Sequence, residues 1–204
     1  PIDMLLEMSK ESTMVVMGSR GLSGISGMVL GSVSGAVVSH ASCPVVVVRE
    51  DNAVTEANKY GPVVVGVDGS DVSRRATEVA FEEAAARSAE LHAVHTWVDT
   101  QIQGPGAGYA VSEDHWQAVQ AEKDELLGTY LNELAKQYPE VVVKKTITRD
   151  RPVRALASAA QDAQLLVTGS HGRGGFKGML LGSTSRALLQ EAPCPMMVVR
   201  TQDL

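Results

Sequence analysis

Short apolar runs punctuate this chain at intervals set by helical patterns. Met14 to Met17, Val45 to Val48, Pro62 to Val67, Glu90 to Trp97, Val141 to Thr148, Leu165 to Thr168 and Met196 to Val199 each have the length of a strand. Pro62 to Val67 is almost purely β-branched, as in a parallel strand covered on both faces. Between the runs the period changes to that of a helix. Val72, Ala76, Val79, Ala80 and Ala84 fall on one helical face, with Ser70 placed to cap it. Trp116, Val119, Leu127, Tyr130, Leu131 and Leu134 predict a long helix ending before Pro139, and Pro152 opens a shorter one at its first turn. Ser32 to Ala41 and Ser183 to Ala192 read as two further helices. Residues 98–114, with Gly104, Pro105, Gly106 and Gly108, read as a mobile loop. Strands alternating with helices imply a doubly wound α/β domain. Residues 61–204 supply five strands, which predicts a parallel five-stranded sheet.

The pattern contains a repeat. Residues 14–49 and 165–200 align without a gap and with half their positions identical. Such a repeat implies two copies of one structural unit. What recurs most faithfully is Gly-x-x-Gly, nine residues, then Gly-Ser. In the second copy it is Gly169, Gly172, Gly182 and Ser183; in the first it is Gly18, Gly21, Gly31 and Ser32. Each copy reads strand, glycine loop, helix, strand.

That order suits an anion. A helix N-terminus carries unpartnered N–H groups and partial positive charge. A phosphate placed there is stabilised by both. Glycines let the backbone approach closely and adopt positive φ. Ser183, Thr184 and Ser185 add hydroxyls, as do Ser32 and Ser34 around Val33 in the first copy; Ser183 can equally act as a helix cap. A tight turn without a ligand is the plainer alternative, but the identical spacing in two copies favours phosphate. Other phosphate motifs are absent: Lys177 is followed by Gly178 rather than Ser or Thr, and no Gly-x-Gly-x-x-Gly follows the first strand.

The motif, together with a first strand ending in Val-Asp-Gly-Ser and the Cys-Pro before each last strand, resembles the universal stress protein family. The resemblance covers nearly the whole chain and is closest to tandem members that bind ATP. It implies residues 1–49 as the C-terminal part of a first domain, 50–60 as a linker and 61–204 as a complete second domain, in the adenine nucleotide alpha hydrolase-like fold. Pro1 aligns with Pro152, so the first domain is expected to lack its strands one to three. The resemblance assigns Asp68 to the nucleotide site, able to accept ribose hydroxyls or to help hold Mg, and the backbone at Thr96 to adenine. Asp68 can also be simply the turn former of Asp-Gly-Ser. His171 and Arg173 lie within the glycine loop, where Arg173 either pairs with a phosphate or faces solvent; the first copy has Arg20 and Leu22 there.

Composition narrows the classes. The chain is 44% hydrophobic and 21% charged, as a globular protein is, and only 4% aromatic, so its core rests on aliphatic residues and methionine. A net charge of −6 disfavours nucleic acid as a partner, and no apolar run is long enough for a membrane span. Cys43 and Cys194 occupy equivalent repeat positions, which argues for buried apolar roles rather than a disulfide. No catalytic dyad or metal-ligand cluster is visible. The expectation is a cytoplasmic, regulatory ATP-binding protein with little or no turnover, a slow ATPase being the alternative. The two last strands, Val45 to Val48 and Met196 to Val199, each an apolar edge, are expected to meet or lie close across an intramolecular pseudo-two-fold axis. Half a domain should still seek closure, as a homo-oligomer, most simply a dimer, or with the missing N-terminal part.

Overall fold

The computed structural model describes residues 1–19, 30–97, 113–174 and 180–201, with 113–116 as backbone. Its elements are α1 (Ile2–Ser9), β1 (Val15–Gly18), α2 (Ser32–His40), β2 (Val45–Val48), β3 (Val63–Gly66), α3 (Asp71–Arg87), β4 (Leu91–Thr96), α4 (Glu113–Ala135), β5 (Val143–Thr148), α5 (Pro152–Ala159), β6 (Leu165–Gly169), α6 (Ser183–Glu191) and β7 (Met196–Val199). Every expected strand and helix forms, with ends shifted by a residue or two. Of the expected loop, 98–112 lie outside the described residues, while residues 113 and 114 belong to α4. Ser70 caps α3 as its position predicts, its hydroxyl accepting from the Ser73 amide at 3.2 Å.

The five-stranded sheet expected from the sequence is part of a larger one. All the strands join in a seven-stranded sheet of order β1-β2-β7-β6-β3-β4-β5. From β7 to β5 the strands are parallel, in the expected doubly wound arrangement. β1 and β2 are parallel to each other but join the rest through an antiparallel β2–β7 pair. The extension has a simple cause. β7 would otherwise be an apolar edge with unpaired backbone groups, and β2 is the same kind of strand with the same need. Val46 pairs with Met197, its own repeat equivalent, while Val45 faces Val198 and Val47 faces Met196. The two copies therefore meet about a local two-fold axis through Val46 and Met197.

Each face of the sheet carries a core. On one, Phe81 of α3 and Leu127 and Leu131 of α4 pack over Leu91, Leu165, Val167 and Met197, and Phe81 stacks on Tyr138 at 5.6 Å between ring centroids. On the other, Leu156 of α5, Leu188 and Leu189 of α6 and Val37 and Val38 of α2 cover Val64, Leu166 and Met196, with Leu5 and Leu6 of α1 against them. The two copies differ at the edge. Val167 is fully buried beneath α3, whereas its equivalent, Val16, on edge strand β1, is 62% exposed. The segment 50–60 has no regular element but is tied down. Asn52 is buried, donates to the carbonyls of Ala192 and Cys194 at 3.2 and 2.9 Å, and accepts from the Arg49 amide at 2.6 Å. Both cysteines are free and buried, and burial pushes the Cys194 thiol up to about 12.

Candidate functional site

A cleft of about 400 Å³ opens at the carboxyl ends of β3, β4 and β6. It sits where the chain, having built β4 and β5 on one side of β3, returns to place β6 on the other. That reversal is where doubly wound sheets bind ligands. Asp68, Thr96, Gly169, His171, Gly172, Arg173, Gly182, Ser183, Thr184 and Ser185 all line it. Every second-copy residue singled out from the sequence is thus brought to one place, although Asp68 and Arg173 are 105 positions apart.

The loop is held by backbone bonds. The Ser170 amide donates to Val199 at 2.7 Å, and the Gly182 amide donates to the Ser170 carbonyl at 2.7 Å, which fixes the start of α6 beside the end of β6. Gly182, not Ser183, occupies the cap position, and no side chain caps the helix. The amides of Ser183, Thr184 and Ser185 therefore head α6 without intrahelical acceptors. The Ser185 side chain also has a structural role. Its hydroxyl donates to the Gly169 carbonyl at 2.6 Å, buried, and pins helix to strand. The first copy repeats this skeleton: Gly31 donates to Ser19, Ser19 to Val48, and the Ser34 hydroxyl to Gly18 at 2.9 Å. Gly18, Gly31, Ser32, Val33 and Ser34 do not line the cleft. Gly21, with Arg20 and Leu22, lies outside the described residues.

The glycines are needed for closeness rather than for positive φ. Among the described glycines only Gly69, in the Asp-Gly-Ser turn, has positive φ, at 84°. A Cβ at Gly169 would stand 2.8 Å from Val72 Cγ1, one at Gly182 would stand 3.1 Å from His171 Cα, and one at Gly172 would collide with the Asp68 carboxylate.

Asp68 is both turn former and site residue. Its Oδ1 accepts from the Ser70 amide at 2.9 Å and the Ser70 hydroxyl at 2.6 Å; its Oδ2 accepts from the Arg173 amide at 3.1 Å, joining the β3 turn to the glycine loop. Burial pushes this carboxyl up, but the bonds from Ser70, Ser73 and Arg173 outweigh it and hold it below its usual value. His95 is buried with Nδ1 2.7 Å from the Val67 carbonyl. A carbonyl only accepts, so Nδ1 carries the proton; burial holds the ring below its ordinary value and neutral. His171 Nδ1 lies 3.0 Å from the Ser170 hydroxyl.

Sequence reasoning missed Ser73, whose hydroxyl accepts from the Asp68 and Gly69 amides. It also missed the inner wall: Gly66, Val94, Leu156 and Thr168. Alternate positions at the ends of neighbouring strands were the available signal, since they share a face. Among the described residues no three His, Cys, Asp or Glu side chains gather as a metal site, and no helix is long and apolar enough to cross a membrane.

Fold and cleft define a doubly wound α/β protein with a glycine-lined cleft at the switch point of its sheet. The sequence signature of the universal stress protein family matches residues 1–49 and 59–200, and the chain belongs to that family. It is 44% identical to universal stress protein Rv2005c of Mycobacterium tuberculosis over 98% of this chain and 66% of that protein. It is 39% identical to universal stress protein Rv2623 of the same organism over 96% of this chain and 64% of that protein. The chain thus spans about two thirds of the length of these relatives. Among solved structures, a universal stress protein from Archaeoglobus fulgidus superposes with a TM-score of 0.64 at 26% identity, over 100% of this chain and 66% of that one. The protein UspA from Lactobacillus plantarum shares the fold, with a TM-score of 0.50 at 22% identity over 69% of this chain and 98% of that one.

Proposed function

We propose that this is an ATP-binding member of the family, of the tandem type, whose nucleotide occupancy regulates rather than drives chemistry. The observation that carries the reading is the uncapped N-terminus of α6, closed against β6 by glycines and facing the cleft. Three amides without helical acceptors in a concave site favour a polyanion. Arg173 at the rim supplies positive charge for the outer phosphates, and Asp68 is the carboxylate available to a ribose or to the Mg that accompanies a triphosphate. The donor set fits such a ligand, because N–H groups and a guanidinium suit phosphate oxygens while apolar Val94 and Leu156 in the same lining suit a base or sugar. Among the described residues no group placed to orient a water accompanies them, so turnover is expected to be negligible.

The test is calorimetric titration with ATP. The wild type should bind, and Gly172→Ala, whose new methyl displaces Asp68 from the loop, should bind at least about tenfold more weakly, or 1.4 kcal/mol. Absence of heat with the folded wild type would overturn the assignment. Sustained phosphate release on the order of 1 per second, lost in Asp68→Ala, would replace the regulatory reading with an enzymatic one.

A further inference from the structure

The cleft contains a polar group that neither the glycine loop nor the turn at Asp68 employs. Thr168 is the penultimate residue of β6, 5% exposed, and its Oγ1 is buried without a hydrogen-bond partner. It lines the cleft. One register step beyond the Val65–Val167 pair, its neighbour on β3 is Gly66, which has no side chain. Over Gly66 lies Leu156, whose Cδ1 would stand 3.1 Å from a Cβ there. Leu156 and Val94 are the apolar part of the wall. A hydroxyl in such surroundings is costly unless something bonds to it. The first copy shows the alternative: Met17 stands at the equivalent position and brings no hydroxyl.

We propose that Thr168 is a specificity-determining residue of this cleft, its hydroxyl hydrogen-bonding a polar group on the nucleoside end of the bound nucleotide. The inference rests on the nucleotide reading above. Phosphates are met by backbone amides at the start of α6 and by Arg173 at the rim. Thr168 stands one residue deeper than the loop, on the strand, beside the apolar wall that faces a base or sugar. A turn about χ1 exchanges hydroxyl and methyl, so the oxygen has more than one position from which to meet a ligand. Met17, at the equivalent position of the first copy, has no donor to offer.

The experiment compares ATP binding by the wild-type chain, Thr168→Val and Thr168→Ser. Valine keeps the shape and removes the hydroxyl; serine keeps the hydroxyl and removes a methyl. Thr168→Val should bind ATP about tenfold more weakly, and Thr168→Ser should stay within about twofold of wild type. Without nucleotide, Thr168→Val should melt no lower than wild type, because it loses an unpartnered buried group. Equal affinity of Thr168→Val and wild type would overturn the proposal, as would an equal loss in both variants, which would assign the effect to shape. A lower melting temperature for Thr168→Val without nucleotide would show that the hydroxyl is already partnered, with the same consequence. If the wild type bound no ATP, the nucleotide reading itself would fall and take this inference with it, an outcome distinct from every failure confined to the variants.

Discussion

At the scale of single residues, the site is an arrangement of close approaches. Gly169, Gly172 and Gly182 each stand where a Cβ would press on Val72, Asp68 or the His171 backbone. Asp68 is the hinge pin of this packing, since one carboxylate accepts from its own turn and from the opposite loop. Its folded value lies below the ordinary 3.8. A carboxyl depressed on folding contributes stability that is present above its unfolded value and is lost as pH falls through its folded value. Melting temperatures measured against pH should therefore show wild type losing stability on its acid limb below about pH 4. Asp68→Asn should be less stable at neutral pH, with the gap narrowing as acid is added. Parallel curves for the two proteins would remove Asp68 from the account. The Ser34 and Ser185 hydroxyls show how a sequence motif divides its labour: each bonds a strand carbonyl in its own copy, while the amides around them remain at the helix start.

At the scale of elements, the β2–β7 ladder joins the two copies. Both strands are almost wholly apolar, both are buried, and their register is centred on Val46 and Met197. Val46, 6% exposed, belongs to the core beneath α3 although it comes from the first segment. A charge at that point would have to be desolvated in the centre of the sheet. Val46→Asp should cost at least about 3 kcal/mol in urea unfolding, and the unfolding should remain one transition if the ladder makes the two copies a cooperative unit. A loss below about 1 kcal/mol would show that the junction is peripheral to stability. Asn52 supports the same junction from outside, bonding two carbonyls of the turn that follows α6.

At the scale of the whole molecule, the two ends of the sheet are unlike. β5 closes one end, with Lys144 paired to Glu90 and Lys145 to Asp124. Charges of this kind blunt a sheet edge. β1 ends the other with Val16 exposed, and Met4 and Met8 of α1 are 68% and 58% exposed. For the 204-residue chain this apolar edge leads to a prediction of association. Light scattering should give a mass above the 21.6 kDa of one chain, increasing with concentration, and Val16→Glu should shift the distribution toward monomer. A strictly monomeric wild type across the accessible concentrations would show that the edge is stable in water.

The sequence by itself determined the elements, the repeat and the glycine-serine spacing of the loop, because all three are local. Strand and helix periods, proline at the start of α5 and glycine-serine spacing need no knowledge of distant contacts. It also determined that Asp68 and the loop belong together, through a resemblance to a family that the chain does belong to. That β2 and β7 meet was legible from the repeat and their apolar edges; only the tertiary structure decided that they hydrogen-bond, in a register centred on Val46 and Met197, so that one sheet of seven strands results. The roles within the motif were likewise undecided. Spacing cannot distinguish a hydroxyl bonded to a strand carbonyl, as in Ser185, from one facing a ligand, nor a glycine required by a neighbour's side chain from one required by φ. Thr168 was illegible for the same reason. Its hydroxyl matters through what lies beside it, a glycine on β3 and a leucine on α5, and their meeting is a property of the folded sheet.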